Sequence, residues 1–66
     1  MTFYIIKLKL DNSYVKCNAK YKNDYTGVFN IQDATWFESN VKAKEFAECV
    51  VCEPYEIHVL NIILHD

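Results

Sequence analysis

Asp33-Ala-Thr-Trp-Phe-Glu-Ser-Asn-Val-Lys-Ala-Lys-Glu-Phe-Ala-Glu-Cys-Val50 carries a short aromatic segment directly into a capped amphipathic helix. Ser39 is a good N-cap, because its hydroxyl can accept a hydrogen bond from a free backbone N–H one turn further on. Ala43, Phe46, Ala47 and Val50 then recur at the spacing of a single helical stripe. Lys42, Lys44, Glu45 and Glu48 fall outside that stripe and can stay in water. The pattern places a helix over residues 40–51, and Pro54 cannot continue it. Within 34–38, read as extended, Trp36 and Phe37 point opposite ways. One goes beneath the helix and the other to the surface or to an interface.

Around this unit the chain alternates as strands do. Thr2 to Leu10 sets Tyr4, Ile6, Leu8 and Leu10 on one face, with Phe3, Ile5, Lys7 and Lys9 on the other. Tyr14 to Tyr21 turns Val15, Cys17, Ala19 and Tyr21 inward. A two-residue loop at Asn12-Ser13 would pair Leu10 with Val15, Leu8 with Cys17, Ile6 with Ala19 and Tyr4 with Tyr21. Each inward residue then meets an inward one, at the cost of Lys9 opposite Lys16. Tyr25 to Phe29 reads as a third strand, with Gly27 marking a bulge or a close approach. Residues 30–33 suit one helical turn. The last strand, Tyr55 to Leu64, sets Tyr55, Ile57, Val59 and Ile63 on one face. It then becomes apolar on both faces, through Leu60, Ile62 and Leu64.

These elements make one α+β domain over residues 1–66. An antiparallel sheet of three to five strands carries one helix on one face, in the order βββ(β)αβ. The helical stripe should meet Tyr4, Ile6, Leu8, Val15, Ile57 and Val59. One helix can roof only one face of a sheet, so the sheet has apolar surface to spare. Leu60, Ile62, Leu64 and Trp36 are the candidate protein-interface residues.

Composition narrows the function classes. The chain is 52% hydrophobic and 15% aromatic, which favours a packed globule over disorder. At 66 residues its own core is small, so association would help to stabilise it. No apolar run of about 18 residues suggests a membrane span. The first ten residues, broken by Lys7 and Lys9, do not read as a signal peptide. Three cysteines without an export signal fit reduced thiols in a cytoplasm.

The net charge of −2 is unevenly spread. Residues 1–33 hold five Lys against three Asp, and residues 34–66 hold two Lys against six acids. Arg is absent, which weakens bidentate phosphate or guanine recognition. The hairpin face of Phe3, Lys7, Lys9, Tyr14, Lys16 and Lys20 is nevertheless basic with interleaved aromatics, a surface on which single-stranded bases could stack.

No catalytic set emerges. Cys49 and Cys52 have redox-motif spacing, but Cys49 falls in the last helical turn, where the dipole opposes a thiolate. A zinc site from Cys17, Cys49, Cys52 and His58 would have only one pair at metal-like spacing. Glu56 and His58 share a strand face, with no nucleophile near them in sequence. The reading is a non-enzyme with no cofactor and no metal.

The element order resembles that of short accessory proteins of bacteriophages and prophages of low-GC Gram-positive bacteria. The likeness rests on Asp33-Ala34-x-x-Phe37-x-Ser39 followed by Ala43, Phe46 and Ala47. It also rests on a Lys-, Asn-, Ile- and Tyr-rich composition without Arg, as in an AT-rich genome. The resemblance implies a small protein acting in the cytoplasm of a bacterial host by binding and blocking a host or defence protein. An anti-CRISPR role is among the candidates. The alternatives are a small nucleic-acid-binding module using the hairpin lysines and a structural homodimer joined through the last strands.

Overall fold

Apolar alternation over Thr2–Leu8 gives strand β1. The computed structural model, which describes residues 1–18, 20, 21 and 23–63, builds an antiparallel sheet around it. β2 (Tyr14–Cys17), β3 (Tyr25–Val28) and β4 (Tyr55–Asn61) complete the sheet in the order β3-β2-β1-β4. A 3-10 turn at Ile31–Asp33 and one helix, α1 (Asn40–Cys49), lie between β3 and β4. This is the expected α+β class, with chain order βββαβ.

The helix starts where its cap requires. Ser39 is extended, and its Oγ accepts from the Lys42 N–H at 3.0 Å. Ala43 and Ala47 are fully buried, and their small side chains let α1 lie close against β1. Ile6, Leu8, Val15 and Val51 complete the core. Phe46 is only half-buried, packed on Phe37 with ring centroids 5.7 Å apart. Val59 was expected under the helix, yet it is 60% exposed. It stands on the edge strand and is not among the residues packed against the core.

The first hairpin differs from its expected form. β1 stops at Leu8 and Leu10 is 76% exposed, while β2 stops at Cys17 and Tyr21 is 58% exposed. The observed pairing is Lys7 with Tyr14. Asn12 sits at φ 62, which Asn tolerates, and its N–H donates to the Leu8 carbonyl at 3.0 Å. Leu8 N–H in turn donates to the Ser13 carbonyl at 2.7 Å. Asp11 Oδ1 accepts from both the Ser13 N–H and its hydroxyl, at 3.0 and 2.7 Å. These bonds favour a wider loop, Lys9–Asn12, over the two-residue one. The displacement is by an even number of residues, so the side chains that remain within β1 and β2 keep their expected faces. It also removes the Lys9–Lys16 clash. Lys9 Nζ instead lies 3.8 Å from Glu56 Oε1.

β2 then diverges from β1, and the 35–37 segment fills the fork. Thr35 N–H donates to the Val15 carbonyl at 3.0 Å, and its Oγ1 accepts from the Cys17 N–H at 2.7 Å. Phe37 exchanges two backbone bonds with Tyr4, each 2.8 Å. An aromatic stub thus continues the sheet where the hairpin leaves it.

The other boundaries moved modestly. β3 ends at Val28 and leaves Phe29 75% exposed, while α1 ends at Cys49 rather than at 51. β4 ends at Asn61, and Ile63, expected on its inner face, is exposed. Ala19, Lys22 and Leu64 lie outside the described residues. Gly27 does mark a close approach. A Cβ there would stand 2.6 Å from Ser13 Oγ.

Ile6, which is fully buried, should lose about 2–5 kcal/mol of stability on replacement by Ala, read as a lower urea midpoint. Gly27→Ala should cost about 1–3 kcal/mol through overpacking on Ser13. Leu10→Ser should stay within about 0.5 kcal/mol of the parent. A large loss at Leu10 would restore the tighter hairpin.

Candidate functional site

The sheet face opposite α1 carries the odd-numbered residues of β1 and the even-numbered residues of β4. The register sets Phe3 beside Leu60, Ile5 beside His58 and Lys7 beside Glu56. Ile5, flanked by Phe3 and Lys7, is 2% exposed, so this face has a buried centre although no helix among the described residues lies above it. Trp36 closes one side. Its ring meets Phe3 at 5.5 Å between centroids, tilted by 47°, and its Nε1–H donates to the Ile31 carbonyl at 2.9 Å. The 3-10 turn therefore fixes the indole orientation.

Trp36 and Phe37 do point opposite ways: Phe37 goes to the helix side and Trp36 to the open face, where it is 36% exposed. Met1 and Ile62 extend the β1–β4 ladder by two bonds of 2.9 and 2.8 Å, which keeps Ile62 on the face of Leu60. Leu60 and Ile62 are half-buried. Three of the four interface candidates, Trp36, Leu60 and Ile62, thus converge on a strip centred on Phe3. Sequence reading missed the role of Phe3 in that strip, because nothing local shows that β4 lies beside β1.

The hairpin lysines separate. Lys7 and Lys16 share the open face with Tyr14 and Phe3, since Tyr14 pairs Lys7 on one side and Val28 on the other. Lys9 leaves with the loop toward Glu56. Lys20 lies beyond the end of β2, with its ammonium 5.8 Å from the Tyr21 ring centroid. The basic surface is therefore interrupted by a carboxylate.

Comparison of the chain with known protein families, curated proteins and solved structures finds no match.

Glu56 and His58 meet as their spacing suggests, with Nε2 and Oε2 3.0 Å apart. The His58 hydrogen bond, helped by Lys9, holds the Glu56 carboxyl below its ordinary value. Both side chains are about half in water. A depression of about 240 Å³ lies two strands away, lined by Lys16, Cys17, Asn18, Asp24, Tyr25 and Thr26. Cys17, Cys49 and Cys52 are free thiols, and no metal-ligand cluster occurs among the described residues. No helix among those residues is long and apolar enough to cross a membrane.

Tyr25 lines that depression and ties β3 to the segment after α1. Its hydroxyl donates to Glu53 Oε2 at 2.7 Å. This bond, with burial and the negative charge of Glu53, pushes the phenol up from 10.0 to about 12. The fold favours the protonated phenol, so its contribution is complete below pH 10 and is lost as pH climbs toward about 12. An absorbance titration should show one of the five tyrosines ionising late. Tyr25→Phe should remove that step and cost about 1–3 kcal/mol at neutral pH.

Proposed function

We propose that the chain is a non-enzymatic docking protein that binds another protein through the helix-free face of its sheet. The observation that carries this reading is the strip of Trp36, Phe3 and Leu60, continued by Ile62, on a face that no helix among the described residues covers. A Trp held in place by a backbone hydrogen bond loses little entropy on binding, and Trp is enriched among residues that dominate interface energetics. Lys7, Glu56 and His58 border the strip and supply the polar rim that such interfaces have. The half-solvated Glu56–His58 pair is better suited to a rim than to proton transfer in a dry pocket.

The partner expected from the resemblance is a bacterial host or defence protein, held stoichiometrically in the host cytoplasm. A phage-type inhibitor needs no chemistry of its own, only a rigid surface that occludes the target's. The strip on this sheet fits that requirement.

Affinity capture from a bacterial lysate tests the reading. The parent chain should retain a stoichiometric protein, and the emission of Trp36, the sole tryptophan, should shift to the blue as the partner shields it. Leu60→Asp, checked for an unchanged fold by circular dichroism, should weaken capture by about thirtyfold or more, as expected for a central contact. Lys7→Glu with Lys16→Glu should leave capture nearly intact. Recovery of nucleic acid alone, lost in the double lysine variant, would overturn the proposal in favour of a single-strand binder.

A further inference from the structure

β4 ends the sheet on one side, and its outer edge is open among the described residues. The ladder's phase shows which groups are left over. Met1 and Ile62 exchange two hydrogen bonds, so alternation makes Phe3–Leu60, Ile5–His58 and Lys7–Glu56 the bonded pairs. Tyr4–Val59, Ile6–Ile57 and Leu8–Tyr55 are then the non-bonded pairs. The bonds that Tyr4 makes to Phe37 and Leu8 makes to Ser13, on the other edge of β1, agree with this phase. Tyr55, Ile57 and Val59 therefore aim their backbone N–H and C=O groups away from β1, into the open edge.

Soluble proteins usually blunt such an edge with lysine, proline or a bulge. Tyr55–Asn61 contains neither Lys nor Pro, and its pairing with β1 runs without a bulge. Its sequence is also self-complementary about one residue. Read outward from Ile57, Glu56 is balanced by His58 and Tyr55 by Val59.

We propose that a second copy of the chain pairs here, β4 against β4, antiparallel about a two-fold axis through Ile57. In this register Ile57 meets Ile57 and Tyr55 meets Val59, and these are the positions whose backbone groups point outward. Each such pair exchanges two hydrogen bonds. Glu56 and His58 fall at the intervening positions, where opposed side chains come closest. Each carboxylate then faces an imidazole of the other copy, with Lys9 already beside it.

The neighbouring registers lack this match. An axis through His58 sets histidine on histidine and Glu56 on Leu60. One through Val59 sets Glu56 on Ile62 and His58 on Leu60. The Ile57 axis also places a tyrosine ring against the 60% exposed Val59, an aromatic–β-branched pairing that sheets favour. Both helices lie on the same side of the joined sheet. The Trp36–Phe3 strips of the two copies then lie on one continuous open face, although the pairing stands independently of what that face binds.

Sedimentation equilibrium of the purified chain, with charge-swapped variants, tests the proposal. The parent should be a dimer. Glu56→His and His58→Glu should each weaken it about tenfold by opposing like residues, and the double swap should recover most of the loss because the symmetry is restored. Val59→Lys, at an already exposed position, should weaken the dimer while leaving the circular dichroism spectrum of the folded chain unchanged. A monomeric parent would overturn the proposal. So would a dimer insensitive to Val59→Lys, or a double swap no better than the single swaps.

Discussion

Strand β1 is the shared support of the molecule. β4 pairs along its whole length on one edge. On the other edge β2 takes the Lys7 end, while Phe37 takes the Tyr4 end by a two-bond bridge. Its Ile6 is buried beneath Ala43 and Ala47 of α1, and Ile5, on the opposite face, is buried without a helix above it. The strand thus has pairing partners on both edges and a buried residue on each face. Everything else attaches to it, either directly or through one intermediate.

The fork on the second edge shapes the remainder. Because β2 peels away after Lys7–Tyr14, the backbone of Tyr4 needs another partner, since unpaired buried amide groups are costly. The segment entering α1 supplies it, with Thr35 bonded to β2 and Phe37 bonded to β1. The same extended stretch sends Phe37 to the helix side and Trp36 to the open side. One local conformation therefore closes the core and equips the exposed face.

Local signals were legible in the sequence and long-range ones were not. The Ser39 cap, the Ala43–Ala47 stripe and the alternation of residues 3–8 and 55–60 between the two faces follow from periodicity, and they hold. The hairpin register did not follow, because it depends on hydrogen bonds within Lys9–Asn12 that compete with a tighter turn. Leu10 looked like core by alternation alone, but the loop claimed it. Val59 likewise fits the inner pattern, although whether α1 extends over an edge strand is a tertiary matter. The convergence of Trp36 with Phe3, Leu60 and Ile62 required knowing that β4 lies against β1. No spacing in the sequence states that.

The adjacency of β1 and β4 also bears on how the molecule assembles. Met1 meets Ile62 across a separation of 61 residues, so the longest ladder of the sheet joins opposite ends of the described chain. Contacts of that span close late, because the intervening loop must lose its freedom first. Until residues 55–61 arrive, the greasy flank of β1 stands open to any passing strand. Folding should therefore be slow for the molecule's size, and crowding of nascent copies is the hazard it has to outrun.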